Sequence, residues 1–457
     1  MGKLRSIHTP RFMNYFIFLL LSGGYLFLTL RLSRGLWYWW DEWTILRSQD
    51  SSLLGLLEGH FGNFFPLGRL VFFIESQAFG NFYPGLVLVN ALLVIVTCFA
   101  VWRIVTHVFK PNNRWIPLIA AFGLITYATA SGVVFDVLWG FQVAWLLSIF
   151  FAVIGPYFVI IHGMKKQYSL ALLLFSWLSF NSNFLPAVFL YLSLMFLGNQ
   201  KPLPWRWRTN FMLFGLAAMV LTAIGLILAR MNPSVEPLAQ ASGVGLPSSF
   251  AELWAAVSEA AAGSLLWLFT PISVILGSRP NMLQEFGPLL AASPRLILLL
   301  ILIVVATSLA IVGVRQPKRL LPVLALALPL ITVMGLISLR GQGDFDTSFN
   351  LRYAPSVLLP ATLFWVVLVS LRPESKSILS RLIAASIVAL LTVTAALSAY
   401  SLISQNPNYL TVFGRDSQAV QVDLLRDCET EGLGGLEEAP FQSFTPADFC
   451  SLFTRLQ

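Results

Sequence analysis

The chain is dominated by long apolar runs that carry almost no charge. Only 11% of its 457 residues are charged and 57% are hydrophobic, whereas a soluble domain carries roughly 25% charge. A run of about 20 apolar residues is what an α-helix needs to cross the hydrocarbon core of a bilayer. Backbone groups in lipid must be paired within their own segment, so such runs predict helices. The expected fold is an all-α polytopic membrane protein.

The runs predict about eleven transmembrane helices. The first follows a short basic N-terminus, and its apolar core is too long for a cleaved secretory signal peptide, which favours a signal anchor. Several runs are short, which indicates tilted or uneven helices. The predicted spans are 12–30, 83–104, 115–131, 138–161, 168–182, 184–198, 210–229, 296–314, 320–339, 354–371 and 382–401.

Basic residues recur in every second loop. The N-terminal segment and the alternate loops hold 17 of the 29 Lys and Arg residues, as the positive-inside rule requires. This pattern predicts a cytoplasmic N-terminus and an outer C-terminus. The net charge of +8 is therefore explained by topology, which excludes nucleic-acid binding as the function. The segments that hold these residues are 1–11, 103–114, 165–166, 201–208, 315–319 and 372–381.

Residues 1–401 are predicted to form one transmembrane domain, followed by a small extracytoplasmic tail at 402–457. The tail carries eight acids against three arginines, unlike the basic inner loops. The placement of 248–295 stays open. A re-entrant or interfacial piece is preferred there because Gly263–Gly277 is short and contains Pro271. The predicted outer loops are 31–82, 230–295 and 340–353.

Three cysteines are too few for a disulfide framework. Cys98 lies in an apolar run and is expected to serve packing. Cys428 and Cys450 both lie in the outer tail, where an oxidising compartment would allow a disulfide. Pairing and two free thiols stay equal alternatives, since sequence does not show that the two residues meet.

The aromatic stretch Trp37–Trp43 holds two adjacent carboxylates, Asp41 and Glu42, shortly after the first span. Trp and Tyr concentrate where hydrocarbon meets headgroups, and carboxylates near hydrocarbon are costly and commonly functional. Desolvation by the rings would make a carboxylate more basic, which suits a general base. The structural alternative is that the acids cap a surface helix beginning near Trp43.

The rest of the first outer loop is expected to form two short helices on the membrane surface. Residues 51–79 mix Leu and Phe with Glu58, His60 and Arg69, and Pro66 divides the segment. Such a segment is too polar to span and too apolar to leave the membrane.

Asp136 is the next candidate, predicted in a tight outer turn between two spans. It is interpreted as a second acid that contacts an acceptor or a divalent ion, or alternatively as a cap of the next helix. Trp139 and Gln142 are expected near one helix face, where an aromatic plate beside an amide would hold a sugar ring. Residues 181–183 are predicted to be turn and cap residues.

The loop 340–353 is the other strong candidate. Its arginines are Arg340 and Arg352, and Arg352-Tyr353 immediately opens a predicted span. An arginine at that depth can bind a phosphate through paired N–H donors. The alternatives are an interfacial arginine that binds bulk headgroups, and a metal held by Asp344 and Asp346.

The acid pair and its setting resemble the membrane-integral glycosyltransferases of the GT-C superfamily. Trp40-Asp-Glu-Trp43, followed by the 51–79 segment, looks like that family's first outer loop. Residues 58–69 are similar to a Glu/His-Asn…Pro-Leu-x-Arg pattern of bacterial members, although Gly62-Asn63-Phe64 replaces part of a second His-Asn-x-His arrangement. Arg352-Tyr353 is similar to a feature at the start of a late span in several such enzymes.

The resemblance implies an inverting hexosyl- or pentosyltransferase at the outer face of a bacterial plasma membrane. It would move a sugar from a polyprenyl-phosphate carrier to a glycan, lipid or protein acceptor, with Asp41 or Glu42 as the base. Arg352, Tyr353, Arg69 and Arg340 would bind the donor phosphate, and His60, Asp136, Trp139 and Gln142 the acceptor or the sugar. No cofactor is expected to be required.

Other function classes stay open. A polysaccharide polymerase or ligase also uses outer-face arginines, typically from a large late loop. A lipid-linked sugar flippase should carry polar residues along its spans and on both faces. A non-catalytic assembly protein would tolerate substitution of the acids. ATP-driven transport is disfavoured because the chain has no Gly-rich loop ending in Lys-Ser/Thr. The oligomeric state is not predicted.

Overall fold

The computed structural model is helical wherever it describes regular structure. It describes residues 9–36, 38, 42, 45–46, 55–60, 63–79, 82–109, 115–198, 207–231, 249, 325–339, 354–370 and 389. Within these ranges no strand occurs, and the one isolated β-bridge joins His60 to Asn63. The predicted all-α class is confirmed for this part of the chain.

Eleven α-helices lie within the described ranges. Three short 3₁₀ turns, at Gly55–Leu57, Gly140–Gln142 and Asn181–Asn183, separate some of them. The helices are α1 (Thr9–Leu32), α2 (Pro66–Phe79), α3 (Pro84–Phe109), α4 (Ile116–Ala128), α5 (Ser131–Leu138), α6 (Val143–His162), α7 (Lys166–Ser179), α8 (Phe184–Gly198), α9 (Trp207–Met231), α10 (Ala327–Leu339) and α11 (Ala354–Ser370).

Five stretches among the described residues are long and apolar enough to cross a membrane. A sixth is obtained if α4 and α5, which meet at a 61° bend, count as one broken span. By length and composition these helices indicate a membrane protein. The total of about eleven spans, the orientation and the identity of the membrane stay predictions. The five stretches are Met13–Leu32, Pro84–Phe109, Gly140–His162, Asn181–Gly198 and Met212–Ala229.

Local sequence signals explain several helix ends. Pro66 and Pro84 open α2 and α3, because proline has no N–H to lose in the first turn and its φ angle suits a helix. Gly163 ends α6 with a φ of 68°, a left-handed conformation that glycine adopts without a Cβ clash. Its N–H donates to the Val159 carbonyl across 3.1 Å.

The break between α4 and α5 has a backbone cause. Ala130 is extended, with φ −59° and ψ 136°, so the helical hydrogen-bond ladder cannot continue through it. The Thr129 N–H still donates to the Ile125 carbonyl at 2.8 Å, which closes α4. The short helix α5 then sets off at 61° to α4.

Helix α6 lies at the centre of the described bundle and packs against α2, α3, α7 and α8. Small residues permit close approach at one of these contacts. A Cβ atom on Gly68 of α2 would lie only 2.5 Å from the Ala144 Cβ of α6 and 2.9 Å from the Ser179 carbonyl. In a bilayer such tight packing stabilises helix association through dispersion, because lipid tails are as apolar as the side chains.

Helices occur at the positions of the predicted spans from the first through 210–229, with boundaries that differ by a few residues. That each of them crosses a membrane stays a prediction. The spans 296–314 and 382–401, the tail and all of 248–295 except Ser249 lie outside the described residues. In the first outer loop the structure gives a 3₁₀ turn and α2. The prediction was two short helices on the membrane surface. Helix α2 instead buries one face against the other helices of the bundle.

Candidate functional site

Glu42 is completely buried and hydrogen-bonded. Its backbone is helical, as are Ile45 and Leu46, and none of its surface is exposed. One carboxylate oxygen, Oε1, accepts a hydrogen bond from the Tyr83 hydroxyl at 2.7 Å and another from the Phe141 N–H at 3.1 Å. Glu42 therefore joins the first loop to the start of α3 and to the turn that precedes α6.

The Tyr83 hydroxyl extends this contact. It accepts a hydrogen bond from the Gly140 N–H at 3.0 Å and lies 3.2 Å from the Leu138 carbonyl. A Cβ on Gly140 would come within 2.9 Å of Glu42 Oε1. Glycine at this position thus lets the carboxylate approach the backbone.

A second polar side chain from α3 supports the same break between α5 and α6. The Asn90 side-chain amide donates to the Val137 and Trp139 carbonyls at 3.3 and 3.1 Å. The Val137 carbonyl lies in the last turn of α5, where carbonyls lack partners within the helix. The Trp139 carbonyl directly follows α5 and also accepts from the Gln142 N–H at 3.0 Å. The interrupted backbone is therefore satisfied by side chains from α3 and from the first loop, as irregular backbone among apolar helices requires.

Tyr38 belongs to the same group. Its ring meets the ring of Tyr83 edge-on at 5.5 Å and that of Phe72 at 6.4 Å. Burial, and secondarily the charge of Glu42, raise the pKa of the Tyr38 phenol well above its usual value. Tyr38 therefore packs close to both Tyr83 and Glu42.

His60 packs against the turn at 140–142. Its backbone exchanges two hydrogen bonds with Asn63, at 3.0 and 2.9 Å, and its side chain is buried. The imidazole meets the rings of Phe141 and Phe65 edge-on, with centroids at 5.8 and 6.3 Å. Phe141 thus contacts Glu42 through its N–H and His60 through its ring.

Arg69 of α2 is also enclosed, with 1% of its surface exposed. Its guanidinium donates to the Gly55 carbonyl at 3.4 Å, lies 3.8 Å from a Glu58 oxygen and stands 5.2 Å from the Phe65 ring centroid. Burial lowers the pKa of Arg69 to about 10, and the nearby Glu58 opposes this shift. In this conformation Arg69 holds residues 55–58 against α2.

The placement predicted for Asp136 is wrong. Asp136 lies within α5 and not in a turn, and it is buried. It caps neither helix, since the N-caps of α5 and α6 are Ala130 and Gln142 and neither makes a side-chain cap bond. The sequence at the α4–α5 break has no proline that would have signalled a new helix before Asp136.

Trp139 and Gln142 do not share a helix face. Trp139 is extended, with φ −100° and ψ 106°, whereas Gln142 belongs to the 3₁₀ turn. Both side chains are buried. The Trp139 ring contacts those of Phe135 and Phe141, at 5.6 and 6.0 Å. Both residues nonetheless lie within three positions of Gly140 and Phe141, whose N–H groups donate to Tyr83 and Glu42.

The turn Asn181–Asn183, predicted as a turn and confirmed as one, docks onto the first loop. Asn181 accepts from the Phe64 N–H at 2.8 Å and its own N–H donates to the Phe64 carbonyl at 3.1 Å. Ser182 donates to the side chain of Asn63. A polar tripeptide between two apolar helices thus fixes the position of the loop that follows His60.

The same turn reaches the beginning of α11. Ser356 donates to the Asn183 side chain at 2.8 Å and accepts from the Trp145 indole at 2.6 Å. Asn183 in turn donates to Ser148 at 3.3 Å, and Ser148 lies 2.9 Å from the Ser176 hydroxyl. Hydrogen bonds therefore join α6, α7 and α11 beside the first loop.

These contacts define one end of the bundle, here named the Glu42 end. It comprises Glu42, the loop segment 55–65, the turns at 140–142 and 181–183, and the start of α11. Trp145 follows Phe141 by about one helical turn, or roughly 5–6 Å along the axis. The carboxylate of Glu42 and the first turn of α11 therefore contact neighbouring residues, at the turn before α6 and at the start of α6.

Glu75 of α2 is a buried acid that the sequence did not single out. It is 5% exposed, and neither carboxylate oxygen has a hydrogen-bond partner. Burial raises its pKa to about 8. Glu75 shares the buried face of α2 with Gly68, Arg69 and Phe72. The three- and four-residue spacing of that face is the sequence signal that could have indicated its burial.

Several predicted site residues lie outside the described residues. The first acid of the pair, Asp41, is one of them. From the late loop they include Arg340, Asp344, Asp346, Arg352 and Tyr353, and from the tail Cys428 and Cys450. Cys98, expected to serve packing, is a buried free thiol in α3.

No family model matches the chain, and no curated protein and no solved structure matches it. Among the described residues no group of three or more His, Cys, Asp or Glu side chains is placed to hold a metal ion.

The chemistry available at the Glu42 end is that of buried acids, an imidazole and a guanidinium among aromatic rings. The buried ionisable side chains of the described residues, beyond tyrosine and cysteine, are Glu42, His60, Arg69, Glu75 and Asp136. All five belong to the first loop, α2 or the short helix before the turn at 140–142. Such groups suit proton transfer and the binding of hydroxyl or phosphate groups.

Proposed function

We propose that the protein is a membrane glycosyltransferase of the GT-C type that takes its sugar from a polyprenyl-phosphate carrier. One observation carries the proposal. The acid-bearing first loop is hydrogen-bonded, through Glu42, to the broken junction before α6, and the same helix start is bonded through Trp145 to the beginning of α11. The first loop and the beginning of α11, which follows Arg352 by two residues in the sequence, thereby belong to one end of the bundle.

The proposed reaction needs a base and an anchor for the leaving group. Asp41 accepts the proton of an acceptor hydroxyl, and the acceptor oxygen forms a bond to the anomeric carbon of the sugar. The bond from that carbon to the phosphate oxygen breaks, and polyprenyl phosphate leaves with the electron pair. Attack opposite the leaving group inverts the configuration. No nucleotide or oxidant is consumed.

Arg352 is the proposed anchor for the donor phosphate. It stands two residues before Ala354, the first residue of α11, in the sequence. A guanidinium can form two parallel hydrogen bonds to a phosphate as negative charge builds on the leaving group. The sequence also suggested Arg69 as a phosphate ligand. The structure makes Arg69 a weaker candidate for that role, because its side chain is buried and already contacts Glu58 and Gly55.

The distribution of buried charge favours an enzyme over a flippase. A transporter that alternates between two faces needs polar groups near the middle of its spans. In the described part of the chain, the buried acids and the buried arginine are Glu42, Arg69, Glu75 and Asp136, and they belong to the first loop, α2 and α5. The long apolar stretches of α3, α6 and α8 contribute none of them.

The test is an assay of the purified protein in lipid vesicles. A panel of radiolabelled polyprenyl-phosphate sugars is offered with a membrane extract as acceptor. We expect transfer by the wild type and a loss of roughly 10²- to 10⁴-fold in the rate for Asp41→Asn, the size of a general-base contribution. Asp50→Asn, the same substitution nine positions later in the same loop, is the matched control and should keep full activity.

One outcome would overturn the proposed function, and another would overturn only the assignment of the base. The absence of transfer from every donor, with the protein folded by circular dichroism, would reject the transferase. Label that crosses the vesicle membrane without cleavage of the sugar–phosphate bond would then identify a flippase. Equal transfer by wild type and Asp41→Asn would keep the enzyme class and reject Asp41 as its base.

A further inference from the structure

Glu42 is placed to hold backbone, not to meet a substrate. Its Oε1 atom accepts hydrogen bonds from the Tyr83 hydroxyl and the Phe141 N–H, and none of its surface is exposed. A general base must reach the proton that it removes, directly or through one water. A carboxylate that is enclosed and bonded in this way does not offer that approach.

We propose that Glu42 and Tyr83 form a latch that fixes the first loop to the break between α5 and α6, and that Glu42 is a positioning residue. The latch comprises Glu42, Tyr83, Gly140 and Phe141. Its positioning role rests on the transfer reaction proposed above, with proton transfer assigned to Asp41. The latch itself stands on the geometry alone.

Tyr83 is suited to this role because its hydroxyl both donates and accepts. It donates to Glu42 at 2.7 Å while accepting from the Gly140 N–H at 3.0 Å. Glu42 takes the next amide, that of Phe141. Two successive N–H groups of a 3₁₀ turn, which would otherwise lack partners among apolar helices, are therefore held by two side chains from elsewhere in the chain.

The space around Gly140 allows the latch to be weakened by a substitution in the turn itself. A Cβ atom there would lie 2.9 Å from Glu42 Oε1 and 3.1 Å from a methyl carbon of Leu86. Both distances are shorter than ordinary contacts, so alanine would push the carboxylate away from the turn. Gly140→Ala therefore weakens the latch without altering either of its side chains.

The first experiment measures the latch without reference to activity. Limited trypsin digestion of the protein in lipid vesicles is followed by mass spectrometry of cleavage after Arg47, five residues beyond Glu42. Glu42→Gln, Tyr83→Phe and Gly140→Ala should each raise the cleavage rate by roughly 10- to 100-fold, as expected for losing a hydrogen bond to a buried charged group. In the Glu42→Gln/Tyr83→Phe double variant the cleavage rate should rise by less than the product of the two single increases, because both substitutions affect the same hydrogen bond.

Tyr191→Phe is the matched control. It removes another buried tyrosine hydroxyl, which lies 2.9 Å from Ser169 between α7 and α8, far from the latch in the sequence. Its cleavage rate should equal that of the wild type. Unchanged cleavage in Tyr83→Phe and Gly140→Ala, or an equal rise in Tyr191→Phe, would overturn the latch.

The second experiment tests positioning through the pH profile of the transfer rate. Loss of the latch should lower kcat by roughly 10- to 100-fold in Glu42→Gln while the acidic limb of the profile persists, because the base is still present. Disappearance of that limb in Glu42→Gln would make Glu42 the base and overturn its positioning role. If no donor supports transfer, the digestion results still decide whether the latch exists.

Discussion

Ser356 donates a hydrogen bond to Asn183 across 2.8 Å, although 173 positions separate the two residues. The Trp145 indole donates to the same serine at 2.6 Å. One hydroxyl thus joins α11 to both the turn at 181–183 and the start of α6. The turn at 181–183 also bonds to residues 63 and 64 of the first loop, so this bond links α11 to that loop through the turn.

Ser356→Ala should lower the free energy of unfolding by about 1–3 kcal/mol, because it leaves the buried Trp145 indole N–H and the Asn183 side-chain oxygen Oδ1 without this partner. Ser370→Ala is the control on the same helix, since that buried hydroxyl bonds only the Val366 carbonyl of its own helix, and it should cost less. Thermal unfolding in detergent measures both. Equal losses would mean that the link between helices contributes nothing.

Gly68→Ala should destabilise the protein by about 1–3 kcal/mol through overpacking. The new Cβ would lie 2.5 Å from the Ala144 Cβ and 2.9 Å from the Ser179 carbonyl, so α2 must move away from α6. Gly23→Ala in α1 meets nothing within 4 Å and should be neutral, or stabilising by up to about 1 kcal/mol. A tolerated Gly68→Ala would contradict the close approach of α2 and α6.

Asn181→Ala should loosen the first loop, because it removes the side-chain bond to the Phe64 N–H. The expected loss of stability is about 1–2 kcal/mol, with faster hydrogen exchange at the Phe64 amide. Ser179→Ala, two residues earlier, removes a hydroxyl bonded to its own helix and should leave that amide protected. Unaltered exchange in Asn181→Ala would show that the turn does not hold the loop.

Glu75→Gln should change the pH dependence of stability. The pKa of Glu75 is raised from 4.5 to about 8 in the folded protein, so the folded state favours the protonated acid. Its contribution is fully present below pH 4.5 and is lost as the pH rises through about 8. Glutamine is neutral throughout, so the variant should match the wild type at pH 4.5 and exceed it above pH 8.

Thermal unfolding of the two proteins between pH 4.5 and 9 measures this difference. Curves that run parallel across the range would show that Glu75 keeps an ordinary pKa in the folded state. Gln77→Ala on the same helix introduces no titratable group and should leave the pH dependence unchanged.

The helices were largely predictable because their signal is local. An apolar run must form a helix in lipid whatever its neighbours are, and the runs from the first through 210–229 became helices with small shifts in their ends. The α4–α5 break was not predictable in this way. Ala130 becomes extended without a proline at or directly before it, so Asp136 was placed in a turn and lies instead in α5.

The candidate site was only partly predictable. Glu42, His60 and Arg69 stand out as polar residues in an apolar loop, and the structure brings them to one end of the bundle. Their partners did not stand out. Tyr83 and Ser356 are ordinary residues at the starts of helices, and Glu75 is one acid among several.

The sequence by itself determined that the described chain forms apolar helices and that Glu42, His60 and Arg69 stand together as polar residues in the first loop. Only the tertiary structure decided that Glu42 meets Tyr83 and Phe141, and that Ser356 meets Asn183. The reason is physical. Hydropathy acts residue by residue along a segment, whereas a hydrogen bond requires a donor and an acceptor within about 3 Å, a distance that only the packing of whole helices can set.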